Sequence, residues 1–143
     1  MGKINTGKVI IGGLLAGAVM NIIDFIVNVP ILGDRWKAET LARGLDPDTV
    51  PLAPVGWITV DFIAGLFLLW LYAGIRPRFG AGPKTAVIAG LAMWVLCQAM
   101  FSSYWFTGLY SAGLVMSSGL GSLVSSVCGA LAGCALYKEA QAS

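Results

Sequence analysis

Two carboxylates stand where a carboxylate is costly. Asp24 and Asp61 each interrupt a run of about twenty apolar residues, the length that crosses a bilayer. An ionisable group at that depth costs about 3 kcal/mol or more and is a functional candidate by default. Ionised, it binds a cation or pairs with a base; protonated, it donates a hydrogen bond or carries the proton elsewhere. No Lys or Arg lies inside any of the apolar runs. Asp24 must therefore be protonated, bind a cation, touch water, or reach a base outside its run, such as Arg35.

The neighbours of these carboxylates are spaced for helices. Gly13, Gly17, Asn21, Asp24 and Asn28 are separated by 4, 4, 3 and 4 residues, which puts them on one helical face. Asp61 and Gly65 repeat the pattern in the second run. The third adds Gln98 and Ser102, one turn apart, and the fourth adds Ser117 and Ser118. Asn21, Asp24, Asn28, Asp61, Gln98 and Ser102 are expected to converge on a polar pocket that opens outward. The favoured role for Asp24 is structural, a protonated carboxyl donating to Asn21, Asn28 or Gln98. The sharper alternative is proton or cation coupling. Asp61 is explained by its place near a helix start, where the helix dipole favours an anion and water is near.

Composition narrows the chemistry further. Histidine is absent, which removes the usual ligand for haem, chlorophyll magnesium or zinc and the usual acid–base group at neutral pH. Cys97, Cys128 and Cys134 form no CxxC pair and read as small buried hydrophobes. With no nucleophile–base pair and no phosphate loop, an enzyme is the weakest reading. No cofactor is expected, and a bound lipid is the one ligand allowed. Lys+Arg 9 and Asp+Glu 7 in 143 residues, against 57% hydrophobic residues and a mean hydropathy of +0.82, fall far below the roughly one-quarter charged residues of globular chains. A nucleic-acid binder, a disulfide-stapled secreted domain and a soluble enzyme are excluded.

The elements that must position these groups follow from the apolar runs. Spans are expected at about 9–29, 56–75, 85–106 and 110–137, in a single domain over 1–143. All six prolines (30, 47, 51, 54, 77 and 83) then fall at or outside span ends, where a missing N–H does least harm. Lys3 and Lys8 before the first run, with Ala16-Gly17-Ala18, imitate a secretory signal. The apolar stretch continues well past that point, so a retained span is expected. The fold class is all-α: an integral membrane four-helix bundle with a short interfacial helix in the first, outer loop, residues 32–55. Asp34 is expected to cap that helix and Gly44 to end it, with Trp36, Thr40 and Leu41 turned toward the membrane.

Charge assigns the sides. One face collects Lys3, Lys8, Arg76, Arg78, Lys84 and Lys138 against Glu139, and the other holds Arg35, Lys37 and Arg43 against Asp34, Glu39, Asp46 and Asp48. The positive-inside rule makes both termini cytoplasmic. The basic turn from Ile75 to Lys84 reads first as a topology anchor and second as an anionic-lipid contact. Trp57 and Trp105 are expected at the outer interface and Tyr72 and Tyr137 near the inner one, while Trp70 and Trp94 are expected to face lipid.

The fourth run reads as a packing device. Gly113, Ser117, Gly121, Ser125, Gly129 and Gly133 recur every four residues, beside a second row of Ser118, Ser122, Ser126, Ala130 and Cys134. Small residues at this spacing let another helix approach backbone to backbone. That helix belongs to a second subunit or to this chain, notably at Gly13 and Gly17.

Two stretches carry a resemblance. They are Ile4-Asn5-Thr6-Gly7-Lys8 running into Gly12-Gly13-Leu14-Leu15-Ala16-Gly17 and Asn21, and Leu71 to Gly80 followed by Gly82-Pro83-Lys84-Thr85-Ala86. Together they resemble a group of small uncharacterised bacterial inner-membrane proteins with four predicted spans. The resemblance implies topology and a place in the bacterial inner (plasma) membrane, and no activity. The expected function is that of a non-enzymatic accessory or assembly subunit of a larger membrane complex, or of a self-associating protein. Its partners would be lipids and other membrane subunits, or itself through the fourth span. The alternative is a small proton- or cation-coupled transporter or channel using Asp24 and Asp61.

Overall fold

The computed structural model describes residues 4–49 and 52–138. Lys3, Pro51 and Glu139, counted above, lie outside the described residues. The chain is all-α, with six α-helices among the described residues: α1 (Thr6–Ile26), α2 (Gly33–Leu41), α3 (Ala53–Phe79), α4 (Pro83–Phe101), α5 (Ser103–Phe106) and α6 (Ala112–Ala135). By length and composition α1 with its extension, α3, α4 with α5, and α6 can each cross a membrane. At about 1.5 Å per residue, 24 to 27 residues give roughly 36–40 Å, enough for the ~30 Å hydrocarbon layer and its borders.

Two prolines expected to close spans lie inside helical structure instead. After α1 the chain continues as a π-helical turn, Val27–Ile31, which contains Pro30. The wider turn lets the Leu32 N–H reach the Val27 carbonyl at 3.0 Å, accommodating a residue that would break the ordinary ladder. Pro77 sits in the last turn of α3, and the helix stops at Gly80, whose φ of 87° few other residues adopt. The first loop therefore starts within a continuous helical path. Leu32 precedes α2, and Asp34 lies in its first turn rather than at its cap. Gly44, at φ 71°, ends the path as expected.

Small residues set the close approaches. Gly13 and Gly17 on α1 face Gly65, Leu66 and Phe62 on α3. A Cβ added at Gly13 would lie 2.7 Å from Leu66 Cα, and one at Gly17 would lie 2.8 Å from Phe62 Cα. On the other side of α1, Gly12 meets Gly133 of α6. From Gly121 onward the small row on α6 packs against α1 and its π-helical extension: Gly121 on Val27, Gly129 on Met20 and Ala16, and Gly133 on Gly12, while Gly113 lies beside Arg35 of α2. The neighbouring row meets α4, where Gly90 abuts Ser126 and Ala130. Both rows thus have partners within this chain, and Gly13 and Gly17 serve α3, not α6.

Burial is lopsided. The main buried cluster comprises Val9, Ala16, Met20, Leu68, Leu69, Tyr72, Ala73, Ala86, Ala89, Met93, Ala130, Cys134 and Tyr137, while at the other end Leu32, Leu114 and Val115 are buried where α6 meets the start of the first loop. In α3 every buried residue lies at or after Gly65, and in α4 every one lies at or before Met93. These are the halves nearest the α3–α4 turn. In the other half, α3 rests on α1 and α4 on α6. No described residue of 53–64 or 94–106 is buried, and no hydrogen bond or ring contact joins those two segments.

Candidate functional site

The open half holds the polar residues. Asp24 extends the stripe Gly13, Gly17 and Met20 of α1 into it. On α3, Asp61 continues the stripe of Gly65, Leu68, Tyr72 and Arg76, spaced 4, 3, 4 and 4. Asp24 Oδ2 accepts a hydrogen bond from Ser125 Oγ on α6 at 2.9 Å. Its Oδ1 is buried without a hydrogen-bond partner. Asp61 is half-buried, and its backbone carbonyl lies beside Gly17, two turns before Asp24 on α1. Among the described residues the ion pairs are Lys37–Asp48 and Arg43–Glu39, so Arg35 does not neutralise Asp24. It lies instead beside Gly113 at the start of α6.

Asn28 is the most heavily used side chain of the group. Its Nδ2 donates to the Asp24 carbonyl at 3.0 Å, while Oδ1 accepts from Trp36 Nε1 at 3.1 Å and from Ser118 Oγ at 2.9 Å. One amide thus ties α1, α2 and α6 together. Asn21, expected in the same pocket, turns the other way: its Nδ2 donates to Gly17 O at 2.9 Å and Ile58 O at 3.3 Å. It lines an apolar groove between α1 and α3, about 320 Å³ in volume, with Ile22, Phe25, Ile26 and Ile58. Gln98 lies against Gly119 with its Nε2 buried and without a hydrogen-bond partner. Ser102 returns its hydroxyl to Gln98 O at 2.8 Å and Ser117 to Gly113 O at 2.7 Å, the usual back-bonding of a mid-helix serine. Asp24, Asn28, Ser118 and Ser125 are therefore brought together and Asp61 lies near them, whereas Asn21 and Ser102 are not part of the cluster.

The end of the bundle opposite the α3–α4 turn is covered by α2. Trp36 packs edge-on against Tyr110 (4.8 Å) and Phe101 (6.1 Å), so it faces the bundle end as well as bonding Asn28. Thr40 bonds the Tyr110 hydroxyl at 3.2 Å, while Leu41 is exposed. Glu39 receives the Ser111 N–H (2.7 Å) and Ser111 Oγ (2.5 Å), and Ser111 Oγ in turn accepts from Leu114 N at 3.3 Å. A carboxylate thus completes the cap of α6 at the positive end of its dipole. Bonding to Ser111 holds the Glu39 carboxyl below its ordinary value, with a smaller coulombic contribution from Arg43. Arg43 reaches the Gly108 carbonyl at 3.3 Å and lies 5.3 Å over the Tyr110 ring. No such contact joins α2 to α3 among the described residues, so the cap spans α1, α4 and α6 and leaves α3 out.

Several residues act in ways their spacing did not indicate. Trp94, expected to face lipid, donates Nε1–H to the Gly119 carbonyl at 2.8 Å. Tyr72 and Tyr137, expected in an interfacial belt, are buried and meet edge-on at 5.8 Å. Cys97 is exposed rather than a buried filler. Trp57, Trp70 and Trp105 are exposed as lipid-facing or interfacial rings would be. Glu39 was legible only as one of the charges of the first loop and Trp36 only as a membrane-facing ring of its short helix, since their partners lie 72 and 8 positions away. No family model, curated protein or solved structure matches this chain.

Proposed function

We propose that this membrane protein is a non-enzymatic accessory or assembly subunit that associates laterally through the open half of its bundle, with unlike membrane chains or with itself. The observation that carries this reading is the missing core between residues 53–64 of α3 and 94–106 of α4. In lipid, helices associate by close packing and shared polar contacts. A chain that packs one half of its bundle tightly and leaves Asp61 and Gln98 at the edge of an unpacked half suits a helix supplied by another protein. Both small-residue rows of α6 already have partners, so the association surface is α3 and α4 rather than the rows of the fourth span. Lys8, Arg76, Arg78, Lys84 and Lys138 at one end support a cytoplasmic placement of both termini, and the resemblance noted above supports a bacterial inner membrane.

The exposed Cys97, within the 94–106 segment of α4 and α5, provides the test. Thiol cross-linking at Cys97 in native membranes, with native mass spectrometry of the solubilised assembly, should capture a stoichiometric partner chain or a second copy. A monomer that forms no cross-link sinks the reading.

A second reading rests on Asp24. Its buried, unbonded Oδ1 and the nearby Asp61 suit a proton- or cation-coupled transporter, entered from the side between α3 and α4. Flux across proteoliposomes that Asp24→Asn abolishes, with assembly intact, would favour transport. An Asp24→Asn effect confined to stability would leave the carboxyl as a fastener.

A further inference from the structure

The two helices that border the open half each carry a stripe covered at one end and uncovered at the other. On α3, Leu68 and Tyr72 are 0% and 3% exposed, whereas Asp61, earlier on the same stripe, is only half-buried. On α4, Ala86, Gly90 and Met93 are buried, whereas Cys97, the next residue in the 4, 3, 4 spacing, is exposed. Spacings of 3 and 4 keep each set on one helical face. The stripes run out of cover where α3 and α4 part, and Asp61 is the charged residue left there.

The depth of Asp61 makes that position costly. Helix α3 begins at Ala53, so Asp61 stands roughly 12 Å inside its start and roughly 22 Å from Arg76 toward the other end, within reach of the ~30 Å hydrocarbon layer. The helix dipole acts within the first turn and no longer accounts for it. The chain supplies no base at this level. No Lys or Arg lies within 9–34, 44–75 or 85–137, and Val50 and Pro51, which lie outside the described residues, carry no charge. Of the three bases at the near end, Lys37 pairs with Asp48, Arg43 pairs with Glu39, and Arg35 lies beside Gly113 of α6. Asp24 is bonded to Ser125 and its other oxygen is buried, so a docking chain meets Asp61 first.

We propose that the chain docking between α3 and α4 is a transmembrane helix of an unlike protein that carries a basic residue, Lys or Arg, level with Asp61. Its charge pairs with the Asp61 carboxylate, about eight residues inside the partner's span on that side. A second copy of this chain does not fit, because it brings no base to that depth. The inference rests on the lateral-association reading and adds the partner's chemistry to it. An unpaired charge in hydrocarbon is expensive, so the pair selects one partner against base-free helices.

The test reconstitutes the full chain in phosphatidylcholine vesicles with a synthetic Leu–Ala helix of about 24 residues that bears one Lys about eight residues from its end. A second helix has Gln in place of that Lys. Binding is read by energy transfer from the tryptophans of the chain to a dansyl group on the peptide. The Lys helix should bind about tenfold or more tightly than the Gln helix, the effect of one charge-assisted contact. Asp61→Asn should abolish the difference, and Asp34→Asn, in α2, should leave it intact. The comparison of the two peptides uses the unaltered chain, which preserves the test if Asp61→Asn fails to fold. In native membranes, the span cross-linked through Cys97 should contain Lys or Arg. Equal binding of the two helices, a captured span free of bases, or capture of a second copy would overturn the inference and leave lateral association standing. Binding of neither helix, together with an uncross-linked monomer in native membranes, would remove the association reading and this inference with it.

Discussion

Gly65→Ala is the most informative single change for the bundle, because the structure specifies both the obstacle and the control. A Cβ at Gly65 would stand 2.5 Å from Gly17 N and 2.9 Å from Gly17 Cα. Both atoms are helix backbone and no rotamer change relieves them. The nearer is about 0.9 Å short of the 3.4 Å at which ordinary contact begins, so α1 and α3 must separate by most of an ångström. A radial gap of that size forfeits a quarter to a half of each pair's dispersion energy, and overpacking of this kind costs about 1–3 kcal/mol. Alanine returns up to about 1 kcal/mol of helix propensity, which leaves a net loss of up to about 2 kcal/mol. Gly74→Ala on the same helix meets nothing within 4 Å, so only the propensity gain applies and it should be neutral to slightly stabilising. Unfolding in bicelles, followed by circular dichroism or pulse proteolysis, separates the two. Equal stabilities for Gly65→Ala and Gly74→Ala would refute the claim that backbone contact at Gly13, Gly17 and Gly65 holds α1 on α3.

The remaining predictions concern the polar fasteners and the cap. Ser125→Ala removes the donor to Asp24 and should cost about 0.6 kcal/mol and no more than about 1.7, the range for interhelical hydrogen bonds in a membrane, read by the same unfolding assay. Gly133→Ala, which would set a Cβ 2.5 Å from the Gly12 carbonyl, should destabilise far more than Gly119→Ala, where the nearest atoms belong to the movable Gln98 side chain. Glu39 is held below its ordinary value of 4.5, so its stabilising contribution is present above pH 4.5 and lost as pH falls through the lower folded-state value. Glu39→Gln should flatten that acid limb in pH-dependent melting curves and leave the neutral-pH fold unchanged.

The apolar runs, their lengths and the segregation of charge to their ends determine a four-span helical chain without reference to any contact, because a bilayer imposes that pattern on each segment separately. The small rows of α6 are legible for the same reason, since a four-residue repeat puts Gly121, Ser125, Gly129 and Gly133 on one face before any partner is known. Which helix they meet is not legible. Gly13 and Gly17 matched α6 as well as α3 by spacing, and only the three-dimensional packing gave them to Gly65 and left Gly12 for Gly133. The same limit applies to the polar residues. Asn21 and Asp24 share a face within the tolerance of a helical wheel, yet a rotation of three residues sends one toward Ile58 and the other toward Ser125. Pro30 and Pro77 marked ends by their chemistry, while a π turn and a final helical turn absorbed them. Local physics chose the elements of this protein. Partner choice across 72 to 132 residues, as in Glu39 with Ser111 or Asn5 with Tyr137, depends on the relative rotation and depth of whole helices. Only the tertiary structure decides that.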